Sequence, residues 1–198
     1  MRKEKLEELK KYIHELETIK VEANKNPKKK FITSNPYLFT LRNGRVIPRE
    51  QLLKNGISGS AVMIAPQVKG SNEFVVNIEP RVFTHEGVAV SFPAGYIEKD
   101  EEPIDAARRE LREETGYVSD NLVHLDSFYQ DEGVSAAFNH SFLALDSEKI
   151  FDQELGENEI VRFMTLTLDE ILEVEKMGYV SGGNTKLTLS KIKDYYRR

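Results

Sequence analysis

The sequence predicts a sandwich of helices and strands, of α/β or α+β class. Three observations lead there: an amphipathic stripe near the N-terminus, a series of short apolar runs through the middle of the chain, and helical periodicity recurring within and after those runs. Strands flanked by helices on both sides in the sequence bury their apolar faces most readily as layers. With 198 residues, 39% of them hydrophobic, the chain holds enough apolar material for one well-formed core plus an appendage.

Between Lys3 and Glu22, Leu6, Leu9, Ile13 and Leu16 recur at spacings of three, four and three, which predicts a helix with one apolar face. The stripe is too short for a coiled coil, so the helix is expected to pack on its own domain or on a second copy. Asn24 to Lys30 loses periodicity, carries Asn26-Pro27 and several lysines, and reads as a solvated connector. From Tyr37 to Ile47 the chain reads as a hairpin turning at Asn43-Gly44. Strands are expected at Gly59–Ala65, Phe74–Ile78, Val88–Phe92, Leu122–Tyr129, Phe138–Leu145 and Ile160–Leu166, and helices at Asp169–Met177 and Leu187–Tyr196. The organisation expected is an extension over residues 1–58, made of helix and hairpin and suited to dimerisation, followed by the main domain over 59–198.

Composition narrows the chemistry. Cysteine is absent, which removes disulfides, thiolate nucleophiles and cysteine-based zinc sites. No apolar run approaches a membrane span and the first residues lack a secretory signal, so no membrane partner and a cytoplasmic location are expected. A net charge of -5 offers no footprint for a nucleic-acid backbone, which makes a small molecule the expected ligand.

The stretch GYIEKDEEPIDAARRELREETGY concentrates the remaining signal. Pro103 suits a first helical turn and Gly116 the left-handed position after a last one, predicting a helix from Pro103 to Thr115. Ile104, Ala107 and Leu111 then share a buried stripe, while Glu110, Glu113 and Glu114 share another face. Like charges at those spacings are mildly unfavourable on a bare helix, and a hard divalent cation reverses that sign. The plainer reading of the same residues is a solvated, salt-bridged face, with Arg109 four residues before Glu113.

The spacing resembles the signature box of the Nudix hydrolase family: Gly95, Glu101, Arg109, Glu110, Leu111, Glu113, Glu114 and Gly116 all match, and Tyr117 stands where the family has a bulky aliphatic residue. The resemblance implies an α/β/α sandwich with a mixed sheet, the box forming a loop, helix and loop. It implies Glu110, Glu113 and Glu114 as ligands of Mg2+, with Mn2+ a substitute, and Glu101 and Arg109 as supports for them. The backbone carbonyl of Ala94 is implied as a further metal contact.

The likeness extends from about Gly59 to Tyr196 and is nearest to the ADP-ribose pyrophosphatase branch. Arg81, Gly95, Gly133 and Ser135 are then implied in substrate binding, and a loop glutamate as general base, Glu159 ahead of Glu157. His140, alone on a strand, reads more naturally as a packed residue. Glu132 replaces a proline of that branch and Ala137 a glutamate, which leaves the substrate open. The function implied is hydrolysis of a nucleoside diphosphate sugar, ADP-ribose to AMP and ribose 5-phosphate, by a homodimer. Alternatives are another nucleoside diphosphate-linked substrate, or a non-catalytic nucleotide-binding module, which the intact box disfavours.

Overall fold

The computed structural model describes residues 1–25 and 30–197. Helix α1 spans Lys3–Leu16, and its stripe buries Leu9 and Leu16 completely or nearly so. The helix stops six residues short of the expected Glu22: Glu17 is already extended, and Ile19 beyond it is almost fully exposed, so nothing rewards continuing the coil. The expected connector falls partly outside the described residues, at positions 26–29.

Strands β1 (Ile32–Thr40) and β2 (Val46–Lys54) form a two-stranded antiparallel sheet apart from the main one. They turn at the Asn43-Gly44 signal, where Gly44 has φ of 81° and Asn43 Oδ1 accepts from the Arg45 N–H. The hairpin is longer than the 37–47 segment expected and is largely exposed on both faces.

The main sheet is mixed and eight-stranded: β3 (Ala61–Val68), β4 (Glu73–Pro80), β5 (Val88–Ser91), β6 (Ala94–Tyr96), β7 (Tyr117–Val118), β8 (Asn121–Tyr129), β9 (Phe138–Lys149) and β10 (Arg162–Thr167). Its central path runs β10-β4-β3-β9-β7, and β3 pairs with β9 in parallel while the other ladders are antiparallel. The short strands β6 and β7 flank helix α2 (Pro103–Thr115) and are too brief for a periodic signal in the sequence. Helices α3 (Leu168–Lys176) and α4 (Gly183–Tyr196) complete the chain. The last starts four residues before the expected Leu187, because Gly183, Asn184 and Thr185 are poor helix formers that tertiary packing carries along.

Alternation along the strands sorts the core into two layers. Val62 and Ile64 of β3, with Phe142 and Ala144 of β9, pack on Ala106, Ala107 and Leu111 of α2. Met63, Ala65 and Leu143, one residue out of phase, belong to the opposite layer with residues of α1, α3 and α4. The helices therefore cover both faces of the sheet, an α/β/α sandwich of mixed α+β content. Among the described residues no helix is long and apolar enough to cross a membrane.

Helix α1 docks on this domain through charge as well as packing. Arg2 donates through Nε and Nη2 to the two oxygens of Glu170 at 2.8 and 2.7 Å and lies 2.6 Å from Glu73. Glu170 also closes the capping box of α3 with Thr167, and the guanidinium of Arg2 holds its carboxyl down at about 2.

Candidate active site

Helix α2 is set in place at both ends. Pro103 opens it, and Gly116 closes it with φ of 72° and an N–H donated to Arg112 O. A Cβ on Gly116 would lie 1.9 Å from Phe151 O, so this glycine is required both by conformation and by space. The buried stripe of Ala107 and Leu111 turns Glu110 toward β6 and Glu114 toward β4 and β6, with Glu113 beside Arg109.

Arg109 organises two of these glutamates. Its Nε and Nη2 meet Glu101 Oε1 and Oε2, each at 2.9 Å, its Nη1 donates to Glu110 at 2.6 Å and Glu113 at 3.3 Å, and Nη2 also reaches Tyr96 O. The guanidinium depresses the Glu101 carboxyl. Glu110 is pushed up instead, first by burial and then by the charges of Glu113 and Glu159, against the opposing pull of Arg109. Gly95 is packed onto this carboxylate: a Cβ there would fall 1.9 Å from Glu110 Cδ.

Glu114 is the most deeply placed of the three, with 9% of its surface exposed. Its Oε2 accepts from Asn77 Nδ2 and from the Ala94 N–H, both at 2.9 Å. Burial, followed by the charge of Glu79, pushes its carboxyl up to about 8. Strand β6 thus serves the helix with alternate backbone groups, the Ala94 N–H for Glu114 and the Tyr96 carbonyl for Arg109.

Around this centre, Arg81 lies 2.7 Å from Glu79 at the end of β4, and it is Glu79 whose charge reaches Glu114. Glu159 is exposed on the loop after β9, where its Oε2 accepts from the Gly156 N–H, and its charge is felt at Glu110. That loop is tied to α2 by Gln153, which donates to Glu114 O, and by Glu154, which pairs with Arg112. The loop with Gly133 and Ser135 lies against the hairpin: Val134 O accepts from the Leu52 N–H, and Lys54 links Gln130 to the ring of Tyr96. His140 shares the Ser127 hydroxyl with His124 on β8 and has no contact with the glutamates among the described residues.

Three groups at the site have no counterpart in the sequence reading: Asn77, Glu79 and Gln153. A signal for the first two existed, since Asn77, Glu79 and Arg81 are polar at alternate positions of an otherwise apolar run, which puts them on one face of a strand.

Among the described residues no group of three or more His, Asp or Glu side chains is arranged to hold a metal ion. The donor set nevertheless suits a hard divalent ion: carboxylates crowded on one helix face, two of them pushed up by burial and mutual charge, with a glycine leaving room beside one of them. Mg2+ is usually bound by one or two carboxylates and completes its shell with water and substrate phosphate, so it does not need three protein ligands.

A sandwich of this topology, with a glutamate-bearing helix held between two glycine-containing loops, has the architecture of the Nudix-type fold. A model of the NUDIX domain matches residues 60–182. The chain is 34% identical over 135 residues to the ADP-ribose pyrophosphatase of Bacillus subtilis (strain 168), covering 68% of this chain and 70% of that protein. It is also 34% identical to the methanol dehydrogenase activator of Bacillus methanolicus, over 69% and 71% of the two chains. A GDP-mannose pyrophosphatase of Salmonella arizonae is 26% identical, over 78% and 83%. Among solved structures, an ADP compounds hydrolase superposes with a TM-score of 0.73 at 20% identity, over 87% of this chain and 90% of the other. The chain belongs to the Nudix family and is a Nudix hydrolase.

Proposed function

We propose that this chain hydrolyses the diphosphate bond of a nucleoside diphosphate sugar, ADP-ribose first, giving AMP and ribose 5-phosphate. The observation that carries the reading is the face of Glu110, Glu113 and Glu114 against Gly95, with Arg109 forked onto Glu101. The ADP-ribose pyrophosphatase relative supports the choice of substrate.

Glu110, Glu113 and Glu114 would hold Mg2+, or Mn2+ in its place, with the Ala94 carbonyl as a further contact. When bound, the ion supplies acidification of the attacking water and neutralises charge on the phosphoryl oxygens. Glu101 and Arg109 keep the glutamates in register. Glu159 takes the proton as the water oxygen bonds to one phosphorus, and the bond from that phosphorus to the bridging oxygen breaks, leaving the second phosphate on the sugar. Arg81, with Gly95, Gly133 and Ser135, binds the substrate, and the phosphates draw Arg81 from Glu79.

A homodimer suits the hairpin. A two-stranded sheet is marginal alone in water, yet this one exposes Leu38 and Phe39 beside Gly133 and Val134. Light scattering on a sizing column tests it, with twice the chain mass expected.

A second reading, another nucleoside diphosphate-linked substrate, draws on the GDP-mannose pyrophosphatase relative and on Glu132 and Ala137. The test is incubation with a panel of nucleoside diphosphate compounds and Mg2+, the products identified by phosphorus NMR. ADP-ribose as the preferred substrate bears out the first reading, GDP-mannose or a dinucleotide the second, and no cleavage of any compound overturns both.

A further inference from the structure

Strand β4 is apolar through Phe74, Val75, Val76 and Ile78, all essentially inaccessible, and Asn77 in their midst is equally so. Val76 and Ile78 belong to the layer opposite α2, so alternation turns Asn77 toward that helix. Packing does not account for an amide there. Its Oδ1 has no partner among the described residues, and a buried acceptor left unpaired disfavours the fold, whereas an apolar side chain would carry no such cost.

The amide's one hydrogen bond supplies the reason. Asn77 Nδ2 donates to Glu114 Oε2 at 2.9 Å. The Ala94 N–H of β6 reaches the same oxygen at 2.9 Å. Glu114 is therefore pinned through Oε2 by donors from two strands, which leaves Oε1 for a ligand.

We propose that Asn77 is a positioning residue: it pins one oxygen of Glu114 so that the other is presented to the divalent cation. This rests on the reading of Glu114 as a metal ligand. Groups that orient a ligating side chain in this way commonly contribute about 10- to 100-fold to metal affinity.

The test is Mn2+ binding, followed by electron paramagnetic resonance of the free ion, on the full chain without substrate. Asn77→Ala is expected to weaken binding about tenfold or more. Val76→Ala, its neighbour in the opposite layer, is expected to lower thermal stability while leaving Mn2+ affinity unchanged. In a Glu114→Gln background, already weakened, Asn77→Ala is expected to cause no further loss. If Asn77→Ala fails to fold, Asn77→Ser, too short to reach Glu114, is measured in its place. Unchanged Mn2+ affinity in the Asn77 variant, or an equal loss in both backgrounds, overturns the proposal while the metal role of Glu114 stands. Wild-type affinity in Glu114→Gln alone overturns the underlying metal assignment instead.

Discussion

Arg109 and Glu101 meet as a fork, Nε and Nη2 each 2.9 Å from a separate carboxylate oxygen, and the third nitrogen of the same guanidinium reaches Glu110. A lysine keeps the charge but cannot reproduce three fixed directions. Arg109→Lys is expected to lower kcat by about 10- to 100-fold with little change in melting temperature. Turnover within twofold of wild type would show that charge alone suffices.

The buried carboxyl of Glu114 makes stability depend on pH. Its value in the fold, about 8, lies above the ordinary carboxylate value, so the stability it contributes is full at low pH and is lost as pH rises through about 8. Without metal, Glu114→Gln is expected to gain on wild type from pH 5 to pH 9 in thermal melts in EDTA. A difference between the two proteins that stays constant over that range sinks the assignment. Since a cation binds the carboxylate, Mn2+ affinity should rise over the same interval.

Two glycines of the box are expected to fail in different ways. Gly95→Ala drives a methyl group into the Glu110 carboxylate, a side chain that can swing aside, so turnover should fall more than stability. Gly116→Ala meets the Phe151 carbonyl and a left-handed φ, both in the backbone, and should cost about 1–3 kcal/mol or more in urea unfolding. The reverse ranking would place Glu110 outside the reaction.

Glu159→Gln is expected to reduce kcat by about 100-fold or more while Mn2+ binding stays near wild type. Unreduced turnover would move the base to another residue, with Glu157 the next to substitute.

The clasp of Arg2 on Glu170 should govern acid stability. With its value held at about 2, Glu170 contributes stability that is present above the ordinary carboxylate range and is lost as pH falls toward 2. Glu170→Gln should lack that part of the acid transition when unfolding is followed by circular dichroism, and an unchanged transition would disprove it.

The helix of the box was legible because three signals coincided there: Pro103, Gly116 and the phase of Ala107 and Leu111. The outer helix α1 was legible through Leu9 and Leu16 but not in its length, which tertiary burial decided. The carboxylate face was legible from spacing, whereas the groups that hold it were not. Asn77 comes from a strand remote in sequence, and the Ala94 N–H is a backbone donor, invisible to any reading of side chains. Gly133 and Ser135 are implied in substrate binding by likeness alone, and their loop meets the hairpin, where Val134 O accepts from the Leu52 N–H.

The parallel pairing of β3 with β9 joins segments far apart in the chain, as the hydrogen bond from the Ala61 N–H to Asn139, seventy-eight residues away, illustrates. Closing so long a loop before any contact rewards it is slow. A still longer span separates Arg2, at the start of α1, from its partner Glu170, 168 residues beyond it. The clasp between them therefore waits until α3 is in place. Both closures are expected to slow folding, whereas the donors that aim the glutamate helix, Asn77 and the Ala94 N–H, precede it in the chain by 37 and 20 residues from Glu114.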